Sequence, residues 1–262
     1  MTEREILLTS ILKCQRADLY AGKLALTKEQ EERLAYYLSL RAKGKPLQYI
    51  LGETDFFGLR FKVDTRALIP RPETEILVDA VIKQFTSHKS QVTSQVKILD
   101  VGTGSGCIAV SLAKSLPDAR VTALDISCQA LELARENALI NGVSERINFI
   151  QSDLFPPGEG GFDIIVSNPP YVFSQEIDKL SPEVRSEPRL ALDGGNEGLD
   201  FYRRIIPLAG GFLKNGGFLA LEIGFQQRQG IEEIVNQQGW LRVKEVIKDY
   251  SGIERVMVLS NG

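Results

Sequence analysis

The stretch Ile98-Leu-Asp-Val-Gly-Thr-Gly-Ser-Gly106 decides the fold. A continuous apolar run, 96–101, leads straight into three alternating glycines, and 108–116 continues with helical spacing. Strand, glycine loop and helix in that order form one βα unit. Glycine has no Cβ, so such a loop turns tightly and lets a ligand approach the backbone. A dinucleotide fingerprint would read G-x-G-x-x-G/A. Here the third glycine comes one position early, and Asp100 precedes the loop.

Downstream the alternation continues. Residues 120–126 read as a second strand, with Ser127 capping a helix that ends near Asn141-Gly142. Residues 146–150, 162–167 and 217–224 are expected strands, and 199–214 and 226–238 expected helices. The end differs: 241–248 and 254–260 are β-rich runs joined by Asp249-Tyr-Ser-Gly252, which predicts an antiparallel pair. Repeated βα units with this ending predict an α/β fold, a mainly parallel sheet with helices on both faces and an antiparallel terminal strand.

Upstream, the first 45 residues read as helix. Ile6, Leu7, Ile11 and Leu12 recur at helical spacing, Thr27-x-x-Gln30 forms a capping box, and Leu34, Tyr37 and Leu38 give the next helix its apolar face. From Gln48 to Val63 the pattern changes, and Phe57-Gly-Leu-Arg-Phe-Lys-Val63 alternates as a hairpin strand does. Ala67-Leu-Ile-Pro-Arg-Pro-Glu-Thr-Glu75 then sets two prolines before an amphipathic run, suiting a helix start. The expected organisation is a small helical domain over 1–45, a β-hairpin linker over 46–69 and the α/β domain over 70–262.

Composition narrows the chemistry. The chain has 262 residues, 43% of them hydrophobic, and a net charge of −3 from 31 basic and 34 acidic side chains. That balance argues against a broad nucleic-acid surface. One histidine excludes His-paired zinc and facial-triad iron, so no metal is expected. That residue, His88, lies in the polar run 86–95, a poor mount for a general base. Cys14, Cys107 and Cys128 cannot all pair and form no C-x-x-C, which points to a reduced compartment. With no apolar run of about 18 residues and no basic-then-apolar leader, a cytoplasmic, membrane-independent protein is expected.

The strand ends carry the chemistry. The spacing of Gly102, Thr103, Gly104, Ser105 and Gly106 resembles the S-adenosylmethionine loop of Rossmann-like class I methyltransferases. Asp125 closes the next strand, where a carboxylate can accept both ribose hydroxyls of an adenosine cofactor. Asp153 follows the third strand and could accept adenine amino hydrogens, with Leu154 or Phe155 against the ring. After the fourth strand, Ser167-Asn-Pro-Pro-Tyr171 resembles the N-P-P-Y motif of methyltransferases acting on planar NH₂ groups. An amide nitrogen is a poor nucleophile because its lone pair is delocalised. If Asn168 Oδ1 and the Pro169 carbonyl each accept one N–H, the nitrogen is fixed and aimed at the methyl group. Pro170 stiffens the loop, and Tyr171 can stack on a planar substrate.

Together, Pro46-Leu-Gln-Tyr-Ile-Leu-Gly52, Arg66-Ala-Leu-Ile-Pro-Arg-Pro-Glu-Thr-Glu75, Ile165-Val-Ser-Asn-Pro-Pro-Tyr171 and Glu183-Val-Arg-Ser-Glu-Pro188 resemble the peptide chain release factor N5-glutamine methyltransferase family. The resemblance covers essentially the whole chain, including Glu254-Arg-Val256. It implies methylation of the glutamine amide in the Gly-Gly-Gln motif of class-1 release factors, with S-adenosyl-L-methionine as cofactor and N5-methylglutamine as product. It also implies cofactor contacts from Gly102 to Gly106 and Asp125, to which the residues themselves add Asp153, Leu154 and Asn168, and substrate contacts from Asn168, Pro169, Pro170 and Tyr171, with Asn168, Pro169 and Tyr171 catalytic. Thr74 and Glu75 resemble residues that close over the cofactor's methionine end, although acids in a first helical turn also serve the dipole. Arg185 and Glu187 either touch the protein substrate or sit in a solvated loop. Three alternatives stay open: a glutamine methyltransferase of a ribosomal protein, an adenine-N6 methyltransferase of nucleic acid, and a non-catalytic adaptor.

Overall fold

A computed structural model describes residues 2–21, 25–88, 95–158 and 160–261. The expectation for the polar run 86–95 lies largely outside these residues, as does the His88 side chain.

The helical module forms from Glu3–Leu12, Asp18–Ala21 and Lys28–Ala42. Thr27 and Gln30 make the expected capping box, and Thr2 with Glu5 makes a second. The expected hairpin region begins differently. Leu47–Leu51 is one turn of helix, framed by Pro46 and by left-handed Gly52. Its Ile50 completes the small apolar cluster of Leu7, Ile11 and Leu34, and that burial pulls these residues out of the hairpin. The hairpin itself is β1 (Glu53–Phe56) with β2 (Leu59–Lys62), turning through Phe57 and Gly58, both at positive φ. That is the geometry of a two-residue turn matched to strand twist.

The remaining strands are β3 (Val96–Val101), β4 (Ala119–Asp125), β5 (Ile147–Gln151), β6 (Phe162–Ser167), β7 (Leu213–Glu222), β8 (Leu241–Lys248) and β9 (Glu254–Asn261). They form one sheet in the order β5-β4-β3-β6-β7-β9-β8. β3 to β7 pair in parallel, and β9 runs antiparallel to both neighbours, as the terminal hairpin predicts. One expected helix is shorter than its pattern. It covers Asp200–Ala209, and Gly210-Gly211 release the chain so that β7 starts at Leu213.

Alternating side chains serve two cores. Ile98, Ile164, Val166 and Val258 pack under the helices Thr74–His88 and Cys107–Ser115. Leu99, Val101, Ile165 and Leu259 pack on the other face, under Asp200–Ala209 and Arg228–Asn236. The chain runs outward from β3 through β4 and β5, then crosses to β6 on β3's other side. Ligands in open parallel sheets bind outside the carboxyl ends of the strands at such a reversal.

Candidate functional site

At that reversal lies a cavity of about 310 Å³ bordered by the loops after β3, β4, β5 and β6. The glycine loop forms one wall. Gly102, Gly104 and Gly106 all have positive φ, a backbone region costly for residues with a Cβ. A Cβ on Gly106 would lie 3.0 Å from that of Ala134, so this glycine also permits close helix packing. The loop's polar side chains face inward. Thr103 Oγ1 donates to Asp100 Oδ2 at 2.6 Å, and its N–H donates to the Leu124 carbonyl at 2.7 Å. Ser105 is buried, and its carbonyl accepts from Asn137 Nδ2 at 2.8 Å. Asn137 also exchanges two hydrogen bonds with the Lys62 backbone, so one buried amide ties the loop to the hairpin.

Asp100 is fully buried, and its Oδ1 has no hydrogen-bond partner. Burial pushes its pKa up to about 7, against the pull of the Thr103 hydroxyl. Asp125 stands at the tip of β4 and lines the cavity. Its Oδ2 accepts the Gly104 N–H at 2.8 Å and its Oδ1 the Ser127 N–H at 2.9 Å. Burial raises its pKa, and these backbone donors oppose the rise. A carboxylate offers about four lone-pair sites, so two acceptor positions remain for a diol. Asp153 is on the rim, with its Oδ2 2.6 Å from Arg204. Leu154 holds φ at +72°, which turns it into the cavity wall, whereas Phe155 stacks on Phe212 with centroids 4.6 Å apart. Of the two apolar candidates, Leu154 is therefore the one that lines the cavity. Diol acceptors at Asp125, an apolar surface at Leu154 and an approachable glycine backbone fit an adenosine-bearing cofactor.

From the β6 side, Asn168 and Pro170 line the same cavity. Pro169 and Tyr171 are not part of its lining, and the Tyr171 hydroxyl points to Glu222 Oε1 at 3.5 Å. Asn168 Nδ2 donates to Thr74 Oγ1 at 3.0 Å, so Thr74 borders the cavity and meets the motif directly. Glu75 does neither. Its Oε1 accepts the Phe57 N–H at 2.7 Å and braces the hairpin turn. Glu187 is buried, with Oε1 2.5 Å from Arg71 and Oε2 accepting the Ile69 N–H at 3.0 Å. It anchors the segment after N-P-P-Y and does not meet solvent, while Arg185 is exposed.

The residue that pattern reading passes over is Glu222, at the end of β7. It is 1% exposed, and burial pushes its pKa to about 7 while the Thr74 hydroxyl, Arg255 and the Tyr171 hydroxyl draw it down. Its signal in the sequence is a lone acid in the apolar run Phe218-Leu-Ala-Leu-Glu-Ile223.

The strand order, the glycine loop after the central strand and the antiparallel final hairpin define a class I methyltransferase. Solved structures share the fold. A ribosomal protein L11 methylase from Lactobacillus delbrueckii subsp. bulgaricus superposes with TM-score 0.53 at 21% identity, covering 76% of this chain and 83% of that one. A methyltransferase from Pyrococcus furiosus gives 0.54 at 19% identity, covering 89% and 98%. Residues 2–52 match the family described as PrmC N-terminal domain, and residues 74–184 match the Methyltransferase small domain. The release factor glutamine methyltransferase of Thermodesulfovibrio yellowstonii is 41% identical over 259 residues, 98% of this chain and 91% of that one. The enzyme of the same name from Moorella thermoacetica is 47% identical over 216 residues, covering 82% and 75%. The chain belongs to the release factor glutamine methyltransferase family.

Proposed function

We propose that this protein transfers a methyl group from S-adenosyl-L-methionine to the side-chain amide of the Gly-Gly-Gln glutamine in class-1 peptide chain release factors, giving N5-methylglutamine. The observation that carries the reading is the meeting of Asn168 with the glycine loop and Asp125 across one cavity, in a chain of this family. Bound S-adenosylmethionine supplies a methyl on a cationic sulfonium, which the amide nitrogen displaces as a neutral thioether. The protein's part is orientation. Gly102 to Gly106 and Asp125 hold the nucleoside end, with Asp153 and Leu154 at the base. Asn168 Oδ1 and the Pro169 carbonyl accept the two amide N–H groups, and Pro170 stiffens the loop. Tyr171, outside the lining, acts through its loop. Fixing two reactants in attack geometry is a large contribution to rate, about 7–11 kcal/mol in favourable cases. The nitrogen becomes acidic as it bonds to the methyl and loses its proton to water, so no strong base is required.

The helical module reaches the segment that follows N-P-P-Y. Arg41 pairs with Glu3 at 2.6 Å and with Glu183 at 3.3 Å, and Gly44 lies against Pro182. In this reading the first 45 residues grip the release factor, 46–69 link, and 70–262 carry the chemistry. No described helix is long and apolar enough to cross a membrane. Release factors act on cytoplasmic ribosomes, so the protein works there, without stable nucleic-acid binding. The test is incubation with labelled S-adenosylmethionine and a release factor, beside the same factor with its Gly-Gly-Gln glutamine replaced. Label only on the unaltered factor is expected. Equal labelling overturns the glutamine assignment, and labelled DNA supports the nucleic-acid alternative.

A further inference from the structure

Gln227 stands at the N-cap of the helix Arg228–Asn236, yet its side chain makes no capping bond to that helix. The chain reaches it through Gln226, whose φ of +62° is uncommon for a residue with a Cβ. The Gln227 amide turns instead toward the loops beside N-P-P-Y. Its Nε2 donates to the Tyr171 carbonyl at 2.9 Å and to the Gly198 carbonyl at 3.1 Å, and its Oε1 accepts the Gly224 N–H at 2.9 Å. Two of these partners only accept and the third only donates, so the amide has a single orientation. Gln227 is 6% exposed, which leaves water little room to stand in for any of them.

The surrounding backbone packs closely. A Cβ on Gly198 would run into both Gln227 Nε2 and the Tyr171 carbonyl oxygen, and one on Gly194 would lie 2.7 Å from Tyr171 Cα. The same segment is laced to the chain that follows the motif. The Val172 N–H donates to the Leu192 carbonyl and the Ser174 N–H to the Gly195 carbonyl, both at 2.9 Å.

N-P-P-Y has little means of holding itself. Pro169 and Pro170 have no N–H to give, so the loop must be fixed from its ends. At the entrance, Asn168 Nδ2 donates to Thr74 Oγ1 at 3.0 Å. At the exit, Gln227 takes hold of the main chain at Tyr171. Peptide planes are rigid and the Pro170 ring fixes φ, so a shift at Tyr171 reaches the Pro169 carbonyl with few torsions to absorb it. That carbonyl is one of the two acceptors that the substrate amide needs.

We propose that Gln227 is a positioning residue for methyl transfer: by pinning the Tyr171 carbonyl to the loops of Gly198 and Gly224, it keeps the Pro169 carbonyl aimed at the reacting amide. Its kinetic consequence rests on the functional reading above; the clamp itself does not.

The test uses the full-length protein with two substitutions. Gln227→Met keeps the length of the side chain and removes its polar atoms, and Gln227→Glu keeps an acceptor for Gly224 and removes both donors. Each is expected to lower kcat about a hundredfold, the scale of a small misplacement of a reacting group. KM for the release factor and calorimetric Kd for S-adenosylmethionine should stay within about threefold. Tyr202→Phe removes a buried hydrogen bond of 2.8 Å to the Glu222 carbonyl, outside the motif. It should keep kcat within about threefold. Independently of activity, hydrogen exchange at the Val172 and Ser174 amides should quicken at least about tenfold more than exchange in β3 in both Gln227 variants, and not in Tyr202→Phe. If Gln227→Met does not fold, Gln227→Glu decides the same points. Unchanged kcat in the Gln227 variants, an equal loss in Tyr202→Phe, or exchange at Val172 and Ser174 that only keeps pace with β3 overturns the proposal. A wild type that leaves the release factor unmodified overturns the functional reading instead, and the exchange comparison still decides the clamp.

Discussion

Replacing Asn137 with alanine should loosen the glycine loop from a distance. Asn137 is fully buried on the helix Cys128–Ile140 and makes three hydrogen bonds: from the Lys62 N–H at 2.7 Å, to the Lys62 carbonyl at 3.0 Å and to the Ser105 carbonyl at 2.8 Å. A net contribution of about 1 kcal/mol for each bond gives a loss of about 3 kcal/mol, since truncation leaves the buried groups unpaired. For a chain of this size that is a drop in Tm of roughly 6–12 °C, read by calorimetry or fluorescence. Asn141→Ala is the internal comparison. Its side chain makes two hydrogen bonds, to the Arg60 and Asn137 carbonyls at 2.9 Å, but the residue is only half-buried, so water largely replaces them. Its loss should stay below about 1 kcal/mol. Equal Tm shifts for the two variants, or an Asn137→Ala protein within about 2 °C of wild type, would refute this account of the loop.

Three further outcomes follow from the geometry. Asn168→Ala should abolish turnover while calorimetric affinity for S-adenosylmethionine holds within about threefold, and Asp125→Ala should weaken that affinity by at least about tenfold; loss of both properties in Asn168→Ala would mark the loop as structural. Glu187→Ala strands the Ile69 N–H and deprives Arg71 of its carboxylate, which should cost about 3 kcal/mol in denaturant unfolding; Arg71 is partly exposed, so the value sits at the low end for a broken buried pair. Asp100 and Glu222 are both raised to about 7 by burial, so the native state holds more protons than the unfolded one between their unfolded and folded pKa values. Stability of the ligand-free protein should therefore rise as pH falls from about 7.5 to about 5.5. A flat Tm over that window would contradict the burial of these two acids.

The features written in the sequence are local ones. The glycine loop had a strand before it and a helix after it, the Thr27 box spans one turn, and Asn168-Pro-Pro-Tyr171 follows its strand without a gap. The terminal hairpin was legible because its two β-rich runs have no helix between them. What escaped was contact across the fold. Leu47–Leu51 carries too few residues for a helical period, and only the Leu7–Leu34 cluster decides its state. Glu75, Glu187 and Asn137 hold backbone groups 18, 118 and 75 residues away in the chain. A sequence shows an acid in a helical first turn, not the Phe57 N–H waiting for it. Glu222 is the intermediate case, visible as an odd residue in an apolar strand but mute about its neighbours.

The central place of β3 also sets an order in time. Its partner β4 arrives within some twenty residues of synthesis, but its other partner, β6, pairs Ile98 with Ile164 and must wait for the intervening units. β9, which flanks β7, is made after all the strands named above. Long-range pairings are slow to form because the loop must close before any contact rewards it. A chain emerging from the ribosome therefore completes the glycine-loop half first and acquires the opposite wall of the cavity only late. Until the helix Asp200–Ala209 is made, the Ile165 face of β6 lacks its cover, and the nascent chain is at its most exposed to aggregation and proteolysis.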